Sequence, residues 1–448
     1  MSNLRKKLTY TQIIVLSFLS IILIGSLLLT LPLSSRSGEW TPFLDAMFTA
    51  TSATCVTGLV VYDTYTHWSA FGQAIILVLI QIGGLGIMTC IAMLSLILKR
   101  RISLSERRLL MQSAGSLQHN GIVILIKQII TGTAIVELCG ALLLAIVFCP
   151  RMGFTVGLWN AVFHSVSAFC NAGFDLMGRY SAFSSLSCDG LYNNPLVMIT
   201  LMLLIVIGGI GFLVWNDVIK KRTSFKKYEV HSKIVLTTSA LLIGIGFVLF
   251  FIFEYKHSLA GMSLGQKLLN ALFEAITPRT AGFASVDLNS MSDSGTLLTM
   301  ILMFIGGSPG STAGGIKTTT FVVLLLCALN SARRYGSITV FKRKLDQNTV
   351  AQASSIATVY AAGVFIAAMI ICALEPYSFT QIVFEIVSAV ATVGLSTGIT
   401  PNLCAASQIL LMVLMFAGRI GGLTFVLVLA ERRINVPISR PTVKILIG

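Results

Sequence analysis

Four segments of this chain share one pattern: LDAMFTATSATCVTGL at 44–59, WNAVFHSVSAFCNAGF at 159–174, LNALFEAITPRTAGF at 269–283 and TQIVFEIVSAVATVGL at 380–395. Each has an apolar, aromatic-led helical start, a run of small or polar residues, and a glycine. The leading residues Phe48, Phe163, Phe273 and Phe384 are separated by 115, 110 and 111 positions. Spacing that regular means four copies of one structural unit, and four copies point to a shared central axis.

The text between the copies is apolar. With 55% hydrophobic and 11% charged residues and a mean hydropathy of +0.87, the chain is too apolar for a water-soluble fold of several domains. Long stretches at 12–33, 70–98, 121–149, 195–219, 233–254, 296–329, 350–374 and 406–430 each reach the ~20 residues that a spanning helix needs. The repeated segments, near 43–54, 158–169, 267–277 and 379–391, hold only 11 to 13 residues, the length of a re-entrant half-helix rather than a span. The expected fold is all-α and integral to the membrane: four pseudo-repeated helix–pore loop–helix units around a central pore, with eight transmembrane helices and four re-entrant half-helices. The units run over 1–98, 99–219, 220–330 and 331–448, the last ending in a cytoplasmic stretch. Residues 13–33 are long enough to span and lack a small-residue cleavage site, so they read as a retained helix rather than a signal peptide.

A formal charge of +15 raises nucleic acid as a partner, but 23 of the 32 Lys and Arg lie in five short tracts between apolar stretches. These are 5–7, 99–108, 220–233, 333–344 and the run holding Arg432, Arg433, Arg440 and Lys444. Such confinement is a topology signal, and the positive-inside rule puts all five tracts and both termini in the cytoplasm of a multi-pass cell-membrane protein, with no nucleic-acid role. The same tracts suit anionic membrane lipid. The opposite loops carry Glu39, Asp45, Asp63, Asp175, Asp189, Asp287, Asp293 and Glu375. Together they would concentrate cations near a pore mouth, although chance composition is the plainer account of any single one. Nine cysteines are scattered singly, so no disulfide framework or zinc site follows.

A half-helix that stops at membrane depth leaves carbonyls unpaired, which is tolerable only where they are buried in protein or line a polar cavity. Glycine supplies the unrestricted backbone such a loop needs. Four loops of this kind can ring a dehydrated cation with backbone oxygens in place of its hydration shell. The C-terminal ends of the half-helices turn the negative end of the peptide dipole toward it. The expected constriction is Val56, Thr57 and Gly58; Asn171, Ala172 and Gly173; Thr280, Ala281 and Gly282; and Thr392, Val393 and Gly394. One isolated glycine would read as close helix packing; four at matching positions, each after a too-short helix, read as a pore.

With these segments, TPRTAGF at 277–283 and GRIGGLTF at 418–425, the chain resembles, over essentially its whole length, the membrane subunits of the Trk, Ktr and HKT superfamily of potassium transport proteins. Its nearest look is to the bacterial Ktr type. The resemblance implies potassium uptake, a preference for potassium over sodium from glycine at all four filter positions, a homodimer, and a cytoplasmic nucleotide-binding regulatory ring docked on the basic inner face. Such a ring would be a separate subunit, since no nucleotide-binding domain stands in this sequence. A sodium-translocating or sodium-dependent potassium transporter of the same fold is the nearest rival, and a non-conducting scaffold or intramembrane enzyme is the rival of another class. Five histidines without convergent acid spacing give no enzyme site, and no cofactor is expected beyond potassium as the transported ion.

The third unit is interrupted by Gly306, Gly307, Ser308, Pro309, Gly310, Ser311, Thr312, Ala313, Gly314, Gly315 and Ile316, followed by Lys317. In a helix interior each glycine costs about 1 kcal/mol and the proline about 3 relative to alanine, so the helix should break near mid-membrane. Below a filter, a broken segment can obstruct the pore and move, and the resemblance implies an intramembrane gate here; a packing kink is the alternative. The spacing of Gly310 and Gly315 superficially resembles a phosphate loop, but Ile316 precedes Lys317 and no soluble strand leads into it. Arg419 lies within an apolar stretch and is a functional candidate by cost alone; the resemblance places it below the filter, facing the pore, where it would repel cations and touch the gate. Glu137 is expected to be a packing or helix–helix hydrogen-bonding residue. Glu274 and Glu385 are read as structural acids suited to helix N-termini. Glycine clusters at Gly83, Gly84 and Gly86, at Gly208, Gly209 and Gly211, and at Gly418, Gly421 and Gly422 are expected to let inner helices approach one another.

Overall fold

The computed structural model of the chain describes residues 10–86, 89–90, 122–181, 183, 185–187, 190–222, 224–332, 339–341 and 343–421. The basic tracts at 5–7, 99–108 and 432–444, most of that at 333–344, Cys188, Asp189, Gly422 and the distal parts of the spans expected at 70–98 and 406–430 lie outside the described residues.

The described helices repeat one order four times. The first unit holds α1 (Tyr10–Thr30), α2 (Phe43–Thr54) and α3 (Ala70–Leu85), and the second holds α4 (Ile122–Met152), α5 (Phe154–Cys170), α6 (Pro195–Ile210) and α7 (Phe212–Lys221). The third holds α8 (Val230–Glu254), α9 (Leu264–Ile276), α10 (Asp293–Phe304) and α11 (Thr318–Ala332), and the fourth holds α12 (Gln347–Leu374), α13 (Phe379–Ala391) and α14 (Ala405–Ile420). The only strands among the described residues are a two-residue antiparallel pair, Thr339–Val340 with Arg343–Lys344.

The leading helix of each unit, α1, α4, α8 and α12, contains a continuous stretch apolar and long enough to cross a membrane. Their outward faces carry Leu27, Leu138, Leu241 and Met369, all well exposed. In water such faces would be aggregation-prone patches; in hydrocarbon they match their solvent, and the chain is membrane-embedded.

The short helices follow, and Phe48, Phe163, Phe273 and Phe384 are each at most 1% exposed, so the repeated aromatic is the anchor that seats each short helix in its unit. α2 and α13 coincide with the expected segments, whereas α5 starts earlier, at Phe154, after Gly153 at φ 87°. Capping boxes start α9 and α13: Ser263 pairs with Gln266 and Ser378 with Gln381, each satisfying free backbone donors of the first turn. These starts correct one expectation. Glu274 and Glu385 lie well inside their helices, ten and six residues after the first, not at the N-termini.

The second helices differ from the continuous spans expected outside the third unit. α3 stops before Gly86 (φ 83°), α6 before Gly211 (φ 103°) and α14 before Gly421 (φ 95°). At Gly211 the chain turns by 96° into α7. A positive-φ glycine therefore ends the described second helix in the first, second and fourth units, and the third unit inserts a long loop, over 305–317. Positive φ is inaccessible to an L-residue at low cost, so glycine permits these stops.

Candidate functional site

Each short helix ends in a reversal that sends the chain back toward its entry side. The reversal is made not by the repeated glycine but two residues earlier. Val56, Asn171, Thr280 and Thr392 take left-handed φ values of 57°, 58°, 72° and 53°. For asparagine this is a known accommodation; for valine and threonine, branched at Cβ, it is a backbone outlier. Three such outliers, with Asn171 at the fourth equivalent position, indicate strain held by the surrounding structure, as at functional sites. Sequence reasoning missed this because ordinary side chains occupy the turn.

One residue later, Thr57, Ala172, Ala281 and Val393 donate their N–H groups back to the carbonyls of Ser52, Ser167, Thr277 and Ser388 at 2.8, 2.8, 2.9 and 2.8 Å. Then come the glycines, at φ 98°, 69°, 81° and 93° for Gly58, Gly173, Gly282 and Gly394. The four glycines line one cavity of about 110 Å³, together with Asp63 and Asp175 above them. They also meet each other. A methyl group added at Gly58 would strike Ala172 O, at Gly173 it would strike Ala281 O, at Gly282 Val393 O and at Gly394 Thr57 O, none of these farther than 2.9 Å away. The contacts run 1 to 2, 2 to 3, 3 to 4 and 4 to 1, a closed ring of backbone in chain order. The residues that form the ring, Thr57, Ala172, Ala281, Val393 and the four glycines, carry no charged side chain, so what the ring itself can offer a cation is neutral carbonyl oxygen.

The twelve constriction candidates are thus brought together. The residues that fasten the ring from behind were not among them. Glu274 accepts from the Ser285 N–H (2.8 Å) and hydroxyl (3.0 Å), and Glu385 from Thr397 N (2.9 Å), Ser396 Oγ (2.6 Å) and Thr400 Oγ1 (2.9 Å). His164 accepts from Leu176 N at 3.4 Å. All three follow the anchoring phenylalanine, and each holds the strand leaving its glycine. That shared position after Phe was the available signal.

Below the ring, the glycine clusters pack on the ends of the short helices rather than on one another. The space beside Gly83, Gly208 and Gly418 is filled by Thr54 O, Phe169 O and Val390 O. Each of those carbonyls lies four residues before a ring glycine, at the free C-terminal turn where the dipole is negative. The helices approach so closely because no side chain intervenes.

The loop over 305–317 lies against these same ends. Its mouth is closed by the parallel bridge of Ile305 with Ile316 and by Thr318 N donating to Gly307 O at 3.0 Å. Gly306 packs on Gly314 O, Gly307 on Ala313, Gly314 on Thr392 Oγ1 and Gly315 on Ala391 O. Ser311 Oγ donates to Ser308 O at 2.7 Å, and Lys317 Nζ donates to Ala313 O at 2.7 Å and Gly314 O at 3.4 Å. Three main-chain bonds fasten the loop to the second unit: Ser308 N to Gly209 O (3.1 Å), Thr312 N to Gly208 O (3.3 Å) and Phe212 N to Gly310 O (2.8 Å). Arg419 reaches in from the fourth unit and donates to Thr312 O, Gly83 O and Gly84 O, the last at 3.1 Å. Its guanidinium joins three units. Glu137 is a helix–helix partner, accepting from Gln81 Nε2 at 3.3 Å.

Above the ring, Asp175 accepts from Met177 N at 2.9 Å. Burial, with the Asp63 carboxylate nearby, pushes its carboxyl up to about 7.

Comparison with known proteins agrees with this architecture. The family described as "TrkH: Cation transport protein" matches residues 4–436. The "Potassium/sodium uptake protein NtpJ" of Enterococcus hirae is 39% identical over 453 residues, covering 100% of this chain and 99% of its own. The "Ktr system potassium uptake protein B" of Bacillus subtilis is 39% identical over 428 residues, covering 95% and 94%. The crystal structure of the potassium transporter TrkH from Vibrio parahaemolyticus superposes with a TM-score of 0.72 at 18% identity, covering 93% of this chain and 85% of that one, which shows a common fold.

Proposed function

The chain belongs to the TrkH family of cation transport proteins, and we propose that it is the pore-forming subunit of a potassium uptake system. The observation that carries this reading is the closed ring of Gly58, Gly173, Gly282 and Gly394, each in contact with the preceding carbonyl of the next unit. A cation entering there exchanges water for backbone oxygens. The filter comprises Val56–Gly58, Asn171–Gly173, Thr280–Gly282 and Thr392–Gly394, one stretch from each of the units bounded at 98, 219 and 330. Potassium is cargo, and catalysis plays no part.

The gate is the loop over 305–317 with Arg419. It lies directly under the short-helix ends, and Arg419 adds a fixed positive charge in the cation's path. The relatives named as parts of a Ktr system support a regulatory partner; the partner is a cytoplasmic nucleotide-binding ring that docks on the basic inner face of a homodimer. Both termini lie on that side, as the basic tracts require.

The test is ⁸⁶Rb⁺ uptake into liposomes holding the purified full-length chain, with and without a candidate regulatory subunit. Competition by external K⁺ but not by equal Na⁺ is the expected outcome. Equal suppression by both ions would replace the potassium reading with the sodium one, and absence of cation flux under both conditions would leave a scaffold.

A further inference from the structure

We propose that Ser52, Ser167, Thr277 and Ser388 set the ion preference of the ring by fixing where its carbonyls point. This rests on the filter reading above. These are positioning residues, and none of them touches the cation.

Most hydroxyls on this chain's helices bond backward. Ser17, Ser26, Thr49 and Thr51 donate back to the carbonyl four residues earlier, Ile13, Ile22, Asp45 and Met47, the usual habit of a helical hydroxyl. Ser52, Ser167, Thr277 and Ser388, all 0% exposed, do otherwise. Each reaches forward, out of its helix, to the ring. Ser52 Oγ accepts from Gly58 N and Ser388 Oγ from Gly394 N, both at 3.0 Å. Ser167 Oγ donates to Phe174 O at 2.7 Å and Thr277 Oγ1 to Phe283 O at 2.6 Å, in each case the residue after the glycine. The main-chain carbonyls of the same four residues hold the N–H just before the glycine. One residue per unit therefore clips two successive points of the ring.

Peptide planarity turns the clip into a direction. In a trans peptide the N–H and the preceding C=O point oppositely. A Gly58 N–H drawn back onto Ser52 sends Thr57 C=O away from the helix, and a Gly394 N–H drawn back onto Ser388 does the same for Val393 C=O. Those oxygens are found where this predicts, against Gly394 and Gly282. In the second and third units the hydroxyl instead holds the carbonyl of the residue after the glycine, Phe174 O and Phe283 O. The first and fourth clips act on the peptide that carries a ring oxygen; the second and third act on the peptide after the glycine. Loss of Ser52 or Ser388 frees the peptide to turn, and the site loses its discrimination between cations that differ in size.

The experiment uses the full-length protein in phosphatidylethanolamine and phosphatidylglycerol vesicles, reading K⁺ against Na⁺ competition of ⁸⁶Rb⁺ uptake. Wild-type preference for K⁺ is established first; if it is absent the filter reading fails, and the clip is overturned with it. Given that preference, Ser52→Ala and Ser388→Ala should lower the K⁺/Na⁺ ratio about fivefold to tenfold, the factor one net hydrogen bond carries. Ser52→Thr and Ser388→Thr, which keep the hydroxyl, should retain at least half of the wild-type ratio. Ser167→Ala and Thr277→Val should lower it less than either alanine change. Ser52→Cys, close in volume but a weak acceptor, gives a second variant should alanine fail to yield folded protein; its ratio should fall between Ser and Ala, and a wild-type ratio overturns the proposal. Ala variants that discriminate as the wild type does, or Thr variants that lose as much as Ala, also overturn it.

Discussion

Arg419 of the fourth unit holds Thr312 of the third: its guanidinium donates to the Thr312 carbonyl, while the Thr312 hydroxyl donates to Phe169 O of the second unit at 3.1 Å. A single residue of the loop is thus fixed from both sides, by a charge it accepts from and a helix end it donates to.

Replacing Arg419 with alanine removes the bonds to Thr312, Gly83 and Gly84 together and the positive charge beneath the ring. A charge-assisted hydrogen bond carries about 1.5–3 kcal/mol, so unlatching should raise uptake in the absence of a regulatory subunit by tenfold or more. ⁸⁶Rb⁺ flux of monodisperse variant protein is the measurement; flux at or below wild type would argue that the loop does not obstruct. Deleting residues 307–314 should act in the same direction.

Gly282→Ser should abolish potassium preference. The position combines φ 81° with Val393 O in the space a side chain would need. The left-handed cost of about 1–2 kcal/mol adds to displacement of a neighbouring ring oxygen. Uptake that still favours K⁺ over Na⁺ to the wild-type extent would take this loop out of the filter.

Thr280→Gly should be nearly neutral for stability and harmful for selectivity. It relieves a φ of 72°, about 1–2 kcal/mol for a side-chain-bearing residue, and adds unfolded-chain freedom costing about 0.5–1 kcal/mol. The two offset, while the turn loses its single conformation. Thermal unfolding within a few degrees of wild type, with a reduced K⁺/Na⁺ ratio, is expected; unchanged selectivity would show that the strained turn is not needed.

Asp175 gives a pH dependence. Its carboxyl stands near 7 against a usual 3.8, chiefly through burial, so the folded protein binds more protons than the unfolded chain between those values. Its contribution to stability therefore falls as pH rises from about 4 to 7 and is constant above. Ionisation near neutrality also places a negative charge beside the ring entrance, so uptake at low external K⁺ should rise between pH 6 and 8. Asp175→Asn should flatten that rise; a profile as steep as wild type would assign it elsewhere.

Much of the fold is legible in the sequence, and the exceptions are physical. The extents of α2 and α13 follow from apolar length, and the ring glycines from their period. The helix stops at Gly86, Gly211 and Gly421 escaped notice because glycine in an apolar helix has a ready explanation in packing, which is also true here for Gly83, Gly208 and Gly418. The legible signal was the recurrence of GGLG at 83–86, GGIG at 208–211 and GRIGG at 418–422 beside GGSPG at 306–310. The turns at Val56, Thr280 and Thr392 carry no such signal, since nothing in a β-branched residue announces a left-handed backbone. The serine and threonine clips were hidden in the run of small polar residues, where only direction separates a back-bonded hydroxyl from a forward one.

The ring contacts bear on how such a chain can diverge. From unit to unit the turn residue varies among Val, Asn and Thr, and the next among Thr, Ala and Val, yet the glycine is common to all four. Because every glycine is the seat of its neighbour's oxygen, a change in one copy is felt as a displaced ligand in the adjoining copy, like a tooth altered in one of four meshed gears. Fusing four units into one polypeptide frees each to specialise, and the interlocked corner marks where that freedom stops.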